Sequence, residues 1–297
     1  MFNSIFLLDK PRDISSNLAL QKVKKLLKIK KAGHAGTLDP LATGMLPIAF
    51  NEATKFLPYL LDANKTYSVT MQLGVRTTTS DSEGSVVSTR DVPDFSLEEI
   101  HFAFDLFRGE IQQIPSMFSA LKCNGIPLYE YARKGITVER ASRTIHIYNI
   151  TVLSIENNHV DFTVTCSKGT YVRTLVDDVG EKLGCGAHVT RLRRLSVSTF
   201  LENQMMTLEK LESILSDNQM PIEKILLPME CVLSHFPAIL VSEINALHLK
   251  QGKIILHDDA TQLGFIRLFD HKQQFFGLGE ITCPGKIAPK RMVVFSD

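Results

Sequence analysis

Lys31-Ala-Gly-His-Ala-Gly-Thr-Leu-Asp-Pro-Leu-Ala-Thr-Gly-Met-Leu-Pro47 holds three glycines, two prolines and one carboxylate, Asp39. Gly33, Gly36 and Gly44 open backbone angles closed to other residues and let a second chain come close. Pro40 fixes its own φ and disfavours the α region at Asp39, so the carboxylate sits on an extended or turn backbone. Asp-Pro also starts ordinary turns, where the aspartate caps its own backbone. No Gly-Lys-Ser, Gly-Lys-Thr or G-x-G-x-x-G follows, which removes the phosphate-cradling readings. On spacing alone, a turn aspartate and a carboxylate presented to a large substrate both stand.

The flanking sequence carries more. Gly36-Thr-Leu-Asp39-Pro-Leu-Ala-Thr-Gly44, preceded by Gly33-His34, resembles the catalytic-aspartate motif of the TruB family of tRNA pseudouridine-55 synthases. Ser167-Lys-Gly-Thr-Tyr-Val-Arg-Thr-Leu175 resembles a second signature of that family, Lys65-Thr-Tyr67 a third and Leu192-Arg-Arg-Leu195 a fourth. The resemblance covers residues 1 to about 200 well and the last sixty only loosely.

The rest of the chain is compatible with that reading. Of 297 residues, 44% are hydrophobic and 22% charged, an ordinary globular composition, and no apolar run approaches a membrane span. Met1 to Pro11 reads as a first strand and not as a signal peptide. Five cysteines, widely spaced and odd in number, argue against a disulfide scaffold and structural zinc, and imply a reducing cytoplasm. The net charge of +1 is low for a nucleic-acid binder, but its distribution is uneven. Lys22 to Lys31 is one basic run and Arg191, Arg193 and Arg194 another, with much of the acid between Glu202 and Glu230.

Periodicity predicts a helix capped by Ser15 or Ser16, with Leu18, Ala19, Val23, Leu26 and Leu27 on its apolar face. A second helix is expected from Ala53 to Leu61, and a strand from Lys65 to Leu73. Ser96-Leu-Glu-Glu99 is a capping box opening a helix to about Phe107. Asn157-Asn158 joins strands Thr144–Ile155 and His159–Cys166. A helix begins near Tyr171 and ends at Gly184, and another spans Met206 to Leu215. The stretch from about 110 to 140 lacks periodicity and reads as a surface insertion that would bind RNA. After Phe236, short β runs (238–241, 253–256, 265–269, 275–278, 292–295) suggest a small closed β-domain. The expected fold is α+β: a mixed, largely antiparallel sheet flanked by helices over residues 1–236, with a β-barrel-like, PUA-like unit over 237–297.

For the chemistry, the resemblance implies Asp39 as nucleophile, acting on a T-loop uridine, U55, flipped out of its stack. An arginine near a helix start is poorly placed for the helix dipole, so Arg173 calls for an anion, and Asp39 would serve. That partner would favour the ionised carboxylate. The resemblance further implies that Tyr67 stacks on the uracil, that Tyr171 and Leu192 line its pocket, and that His34 braces the gap left in the RNA. Lys10, Lys22, Lys31 and Arg193 are the candidate phosphate contacts. Isomerisation is redox-neutral and needs no cofactor, and no metal set is visible. The expected partner is the T-arm of tRNA, met by a monomer without a membrane. Two alternatives are a guide-dependent synthase acting on other RNAs and a tRNA-folding factor whose carboxylate is dispensable.

Overall fold

The computed structural model describes residues 2–217 and 220–295, and these build two large sheets and two two-stranded ribbons. The larger has nine strands. Along its main path lie Leu227–Pro228, Ser4–Lys10, Thr43–Phe50, Ala187–Val197, Lys65–Leu73, His159–Cys166, Arg143–Glu156 and Gly109–Gln113, and Ala32–His34 pairs separately with Thr43–Phe50. Every pairing is antiparallel except one. Thr43–Phe50 runs parallel to Ala187–Val197, with Arg193 opposite Thr43 and Arg194 opposite Gly44.

Local chemistry explains most of these elements. The strand Lys65–Leu73 falls where alternation places it, with Val69, Met71 and Leu73 buried. Asn157 and Asn158 take φ of 48° and 63°, the left-handed pair that a two-residue hairpin turn demands. Their hairpin joins Arg143–Glu156 to His159–Cys166. The helix Leu97–Asp105 carries the complete capping box of Ser96 and Glu99. It packs with the helix Val172–Lys182 over one sheet face, burying Phe104, Leu175, Val176 and Val179 against Val69, Met71 and Phe162. Helices Ser16–Leu26 and Leu208–Ser216 cover the outer strands through Ala19, Val23 and Leu211. Within the first of these, Leu20 is buried while Leu18 is 47% exposed, so the apolar face is rotated from the expected one. The 53–61 helix begins as a 3₁₀ segment, Asn51–Phe56. It becomes α-helical only at Leu57–Leu61, because Pro58 is tolerated at a helix start and not within one.

Two expectations need correcting. The 110–140 stretch is not wholly a surface insertion. Gly109–Gln113 is the edge strand of the main sheet, and Ser119 is buried. The remainder folds as a short ribbon, Lys122–Cys123 with Ile126–Pro127, and the helix Leu128–Arg133. In the C-terminal unit, five strands pair in the order Ala238–Leu240, Gly264–Phe269, Phe275–Cys283, Lys286–Met292, Ile255–Leu256. The last β run therefore ends at Met292 and does not begin there. The helix Glu243–Lys250, capped by Ser242, went unforeseen because its weak amphipathicity hides between two short strands. This unit does not stand apart: Phe275, Leu278 and Val293 share a core with Phe56 and Leu60, the Phe56 and Phe275 rings meeting edge-on at 5.5 Å.

No helix among the described residues is long and apolar enough to cross a membrane.

Candidate active site

The loop carrying Asp39 is fastened on both sides of that residue. Ser16 Oγ accepts from the Leu38 amide at 2.8 Å and donates to the Leu38 carbonyl at 3.0 Å. Ser15, not Ser16, caps the helix, accepting from the Leu18 amide. The Pro40 carbonyl accepts from the Asp13 amide at 2.8 Å and from Lys10 Nζ at 3.3 Å. The Gly36 carbonyl accepts from Arg194 Nη2 at 2.9 Å. Each bond is worth about 0.5–1.5 kcal/mol net. Together they fix the Asp39 backbone, so the carboxylate is held in place by the loop around it. Where the loop enters its strand, Gly44 has φ +95° and lies so close to Arg194 that an added Cβ would sit 2.3 Å from its carbonyl oxygen. Only glycine permits that approach.

Opposite stands Arg173, buried at the start of the Val172–Lys182 helix. Its guanidinium uses every nitrogen. Nε pairs with Asp39 Oδ2 at 2.9 Å, and Nη1 donates to Asp81 Oδ2 at 3.1 Å and to the Thr79 carbonyl at 2.8 Å. Nη2 donates to the Phe118 carbonyl at 2.9 Å. Asp81, 2% exposed, also takes Thr79 Oγ1 and the Glu83 amide. It is the residue that sequence reading missed. It lies in a polar stretch, 77–84, that carries no periodic signal and reads as loop. That loop in fact docks on the sheet through backbone bonds between Ser80, Ser82 and Val189.

One cation thus serves two carboxylates, and this changes the electrostatics of Asp39. Burial pushes its carboxyl up, Arg173 pulls it down, and Asp81 pushes it up again; the net direction is upward from the ordinary aspartate value. The expected lowering by Arg173 is real but outweighed.

Asp39 lies at the junction of two cavities. The first, of about 360 Å³, is lined by Asp39, Tyr67, Tyr171, Arg173, Leu192 and Arg194. The second, of about 680 Å³, is lined by Asp39 and Arg173 with His34, Asp81, Ser119 and Tyr129. The structure therefore gathers Asp39, Tyr67, Tyr171, Arg173 and Leu192 in one space and places His34 in the next. The sheet register explains this. Arg194 lies opposite Gly44 on one side and Tyr67 on the other, so adjacent strands carry loop, tyrosine and Leu192 together. Burial holds the Tyr67 hydroxyl above its usual range, with Arg194 working against it. His34 is pushed down by burial and by the Arg194 charge.

The candidate phosphate contacts divide. Lys22 and Lys31 are exposed, Lys31 at 3.6 Å from Glu52. Lys10 is not a surface cation: it is fully buried, and its ammonium donates to the carbonyls of Pro11, Ile14 and Pro40. Burial brings its pKa down to about 8. Its work is to hold the loop, and no phosphate can reach it. Arg193 is half-buried and already bound, bidentate to Asp9 at 2.8 and 2.9 Å and to Glu202 at 2.8 Å, which leaves little of its charge for RNA.

Known proteins resemble this chain along its whole length. Three family profiles match: "TruB family pseudouridylate synthase (N terminal domain)" over residues 24–172, "tRNA pseudouridylate synthase B C-terminal domain" over 173–234, and "Pseudouridine synthase II TruB, C-terminal" over 237–293. A tRNA pseudouridine synthase B of Coxiella burnetii (strain RSA 493 / Nine Mile phase I) is 50% identical over 292 residues, 98% of this chain and 94% of the relative. One of Vibrio parahaemolyticus serotype O3:K6 is 50% identical over 304 residues, 99% and 96%. Among solved structures, a Cbf5-Nop10-Gar1 complex superposes with a TM-score of 0.74 at 28% identity, covering 99% of this chain and 84% of its counterpart.

Proposed function

The chain belongs to the TruB family of pseudouridylate synthases, and from that premise we propose that it isomerises a T-loop uridine of tRNA, U55, to pseudouridine with Asp39 as the nucleophile. It is an isomerase that acts on tRNA. The observation that carries the residue assignment is the Asp39–Arg173 ion pair at 2.9 Å at the mouth of a cavity walled by Tyr67, Tyr171 and Leu192.

The chemistry follows from that placement. A uridine within a stack is unreachable, so the nucleotide is flipped into the 360 Å³ cavity, where Tyr67 and Tyr171 offer aromatic faces and Leu192 an apolar wall. His34 lines the adjoining cavity, and in this reading it braces the gap that the flipped base leaves in the RNA. Breaking the N1–C1′ bond leaves an electron-poor sugar carbon, and an ionised carboxylate stabilises or bonds such a centre. Arg173 keeps Asp39 aligned for this. The freed uracil turns and rejoins through C5, whose proton is lost, and the enzyme is regenerated without redox change or cofactor. Outside the cavity, exposed Lys22 and Lys31 and the C-terminal unit 237–297 meet the T-arm backbone. The working form is a cytoplasmic monomer.

The test is tritium release from tRNA transcribed with 5-³H-uridine, comparing wild type with Asp39→Asn, with the product position mapped. Release at the T-loop uridine by wild type alone is the expected outcome. Equal release by Asp39→Asn would sink the nucleophile assignment. No release despite tight tRNA binding would favour a folding factor, and release only with added guide RNA a guided synthase.

A further inference from the structure

We propose that Arg194 stabilises the negative charge that the uracil ring carries after the N1–C1′ bond has broken. The inference rests on the reaction proposed above and adds a residue to it.

Arg194 is among the largest fully buried side chains, 1% exposed. Its Nε donates to the Met45 carbonyl at 2.7 Å and its Nη2 to the Gly36 carbonyl at 2.9 Å, and among the described residues it forms no ion pair. Its neighbours differ. Arg193 has two carboxylates, and Arg173 has two. A buried cation without a counter-charge costs several kcal/mol. That cost is balanced if the counter-charge arrives with the substrate, and Arg194 lines the cavity where the base would lie.

The chemistry supplies such a charge. When N1–C1′ breaks, the bonding pair goes to N1. Uracil is then a monoanion delocalised over N1, O2 and O4, whether C1′ is captured by Asp39 or sheds a C2′ proton to give a glycal. Arg173 is already outnumbered by its two carboxylates. Lys65, the other cation of this wall, gives its ammonium to the carbonyls of Leu60, Leu61 and Ala63. The Arg194 charge is felt throughout the site: it opposes the burial of Tyr67 and depresses His34, Lys65 and Lys10. Arg194 also lies opposite Tyr67 in the sheet register, on the wall where the base would stack.

The test varies the leaving group. Wild type, Arg194→Lys and Arg194→Met are compared on tRNA carrying uridine or 5-fluorouridine at the target. The single-turnover rate of glycosidic cleavage is read as C-glycoside after nuclease digestion, and thermal unfolding and tRNA affinity are measured alongside. Fluorine stabilises the uracil anion, so less is asked of the protein. Arg194→Met should lose about a hundred-fold or more on uridine, with little change in tRNA affinity, and its deficit should shrink about ten-fold on 5-fluorouridine. Arg194→Lys, which keeps the charge, should fall between. Equal deficits on both bases would overturn the inference and leave Arg194 a structural brace. Should Arg194→Met fail to fold, Arg194→Lys and Arg194→Gln carry the same comparison. A wild type that cleaves neither substrate would instead defeat the underlying reading.

Discussion

Replacing Arg173 by lysine keeps the charge and removes the geometry. The guanidinium addresses four acceptors from three nitrogens: Asp39, Asp81, and the carbonyls of Thr79 and Phe118, all within 3.1 Å. A lysine ammonium is a single point on a shorter reach and cannot meet acceptors that lie around a planar fork. It can approach one carboxylate and must abandon the other. If Asp39 loses its partner, one charge-assisted bond goes, about 1.5–3 kcal/mol, or roughly a ten- to 160-fold loss of rate at 1.36 kcal/mol per decade. If Asp81, 2% exposed, is the one abandoned, the loss falls on stability at about 1–3 kcal/mol or more. That is survivable for a domain stable by about 5–15 kcal/mol. The assay pairs single-turnover pseudouridine formation on T-arm RNA with urea unfolding monitored by circular dichroism. The expected result is a folded protein with at least ten-fold slower chemistry and a lowered urea midpoint. Full turnover at unchanged stability would mean that the fork does nothing a point charge cannot, and the reasoning would fail.

Gly44→Ala should destabilise by more than 2 kcal/mol, since left-handed backbone alone costs an L-residue about 1–2 kcal/mol and the new Cβ would meet the Arg194 carbonyl at 2.3 Å; a midpoint in urea equal to wild type would contradict the close approach. The pH dependence follows from Asp39. As the proposed nucleophile it acts ionised, and its pKa is raised by burial and by Asp81, so kcat/KM should fall as pH is lowered along a limb above that of an ordinary aspartate. Asp81→Asn removes one of the raising charges, so that limb should move to lower pH; a limb that stays or moves upward in the variant would refute the coupling.

What the sequence could reveal was set by where the information lies. Strand Lys65–Leu73, the Asn157-Asn158 hairpin and the Ser96 capping box are local devices: alternation, turn chemistry and a reciprocal cap each complete themselves within a few residues. Asp39 and Arg173 were visible because motif resemblance and the wrong-end placement of an arginine both asked for a partner. Asp81 was invisible because a buried carboxylate in a polar loop looks like any solvated one until Arg173 arrives from ninety-two residues away. Lys10 and Arg193 were misread for a related reason. Charge in a sequence is counted as exposed by default, yet Lys10 closes a ring of carbonyls and Arg193 is claimed by Asp9 from the far end of the catalytic body. Composition carries the sign of a charge and says nothing of its partner.

The same consideration explains why the site lies where it does. The sheet has one parallel contact, Thr43–Phe50 beside Ala187–Val197, and it requires a long crossover through residues 51–186. At that contact the Asp39 loop enters its strand against Leu192, Arg193 and Arg194, and Tyr67 stands opposite Arg194 on the next strand. An antiparallel hairpin would have placed a turn there and closed the space. The parallel join leaves the loop end open toward the strand, and Gly44 lets the two backbones touch. The same register buries Arg194 under the loop, where its carbonyl contacts brace Gly36 and Met45 while its charge faces the cavity. In the proposed reaction, a carboxylate that acts ionised and a base that leaves as an anion need cations with different commitments. Arg173, spent on two carboxylates, and Arg194, spent on none, are the two solutions, and the topology delivers both to the lining of one cavity.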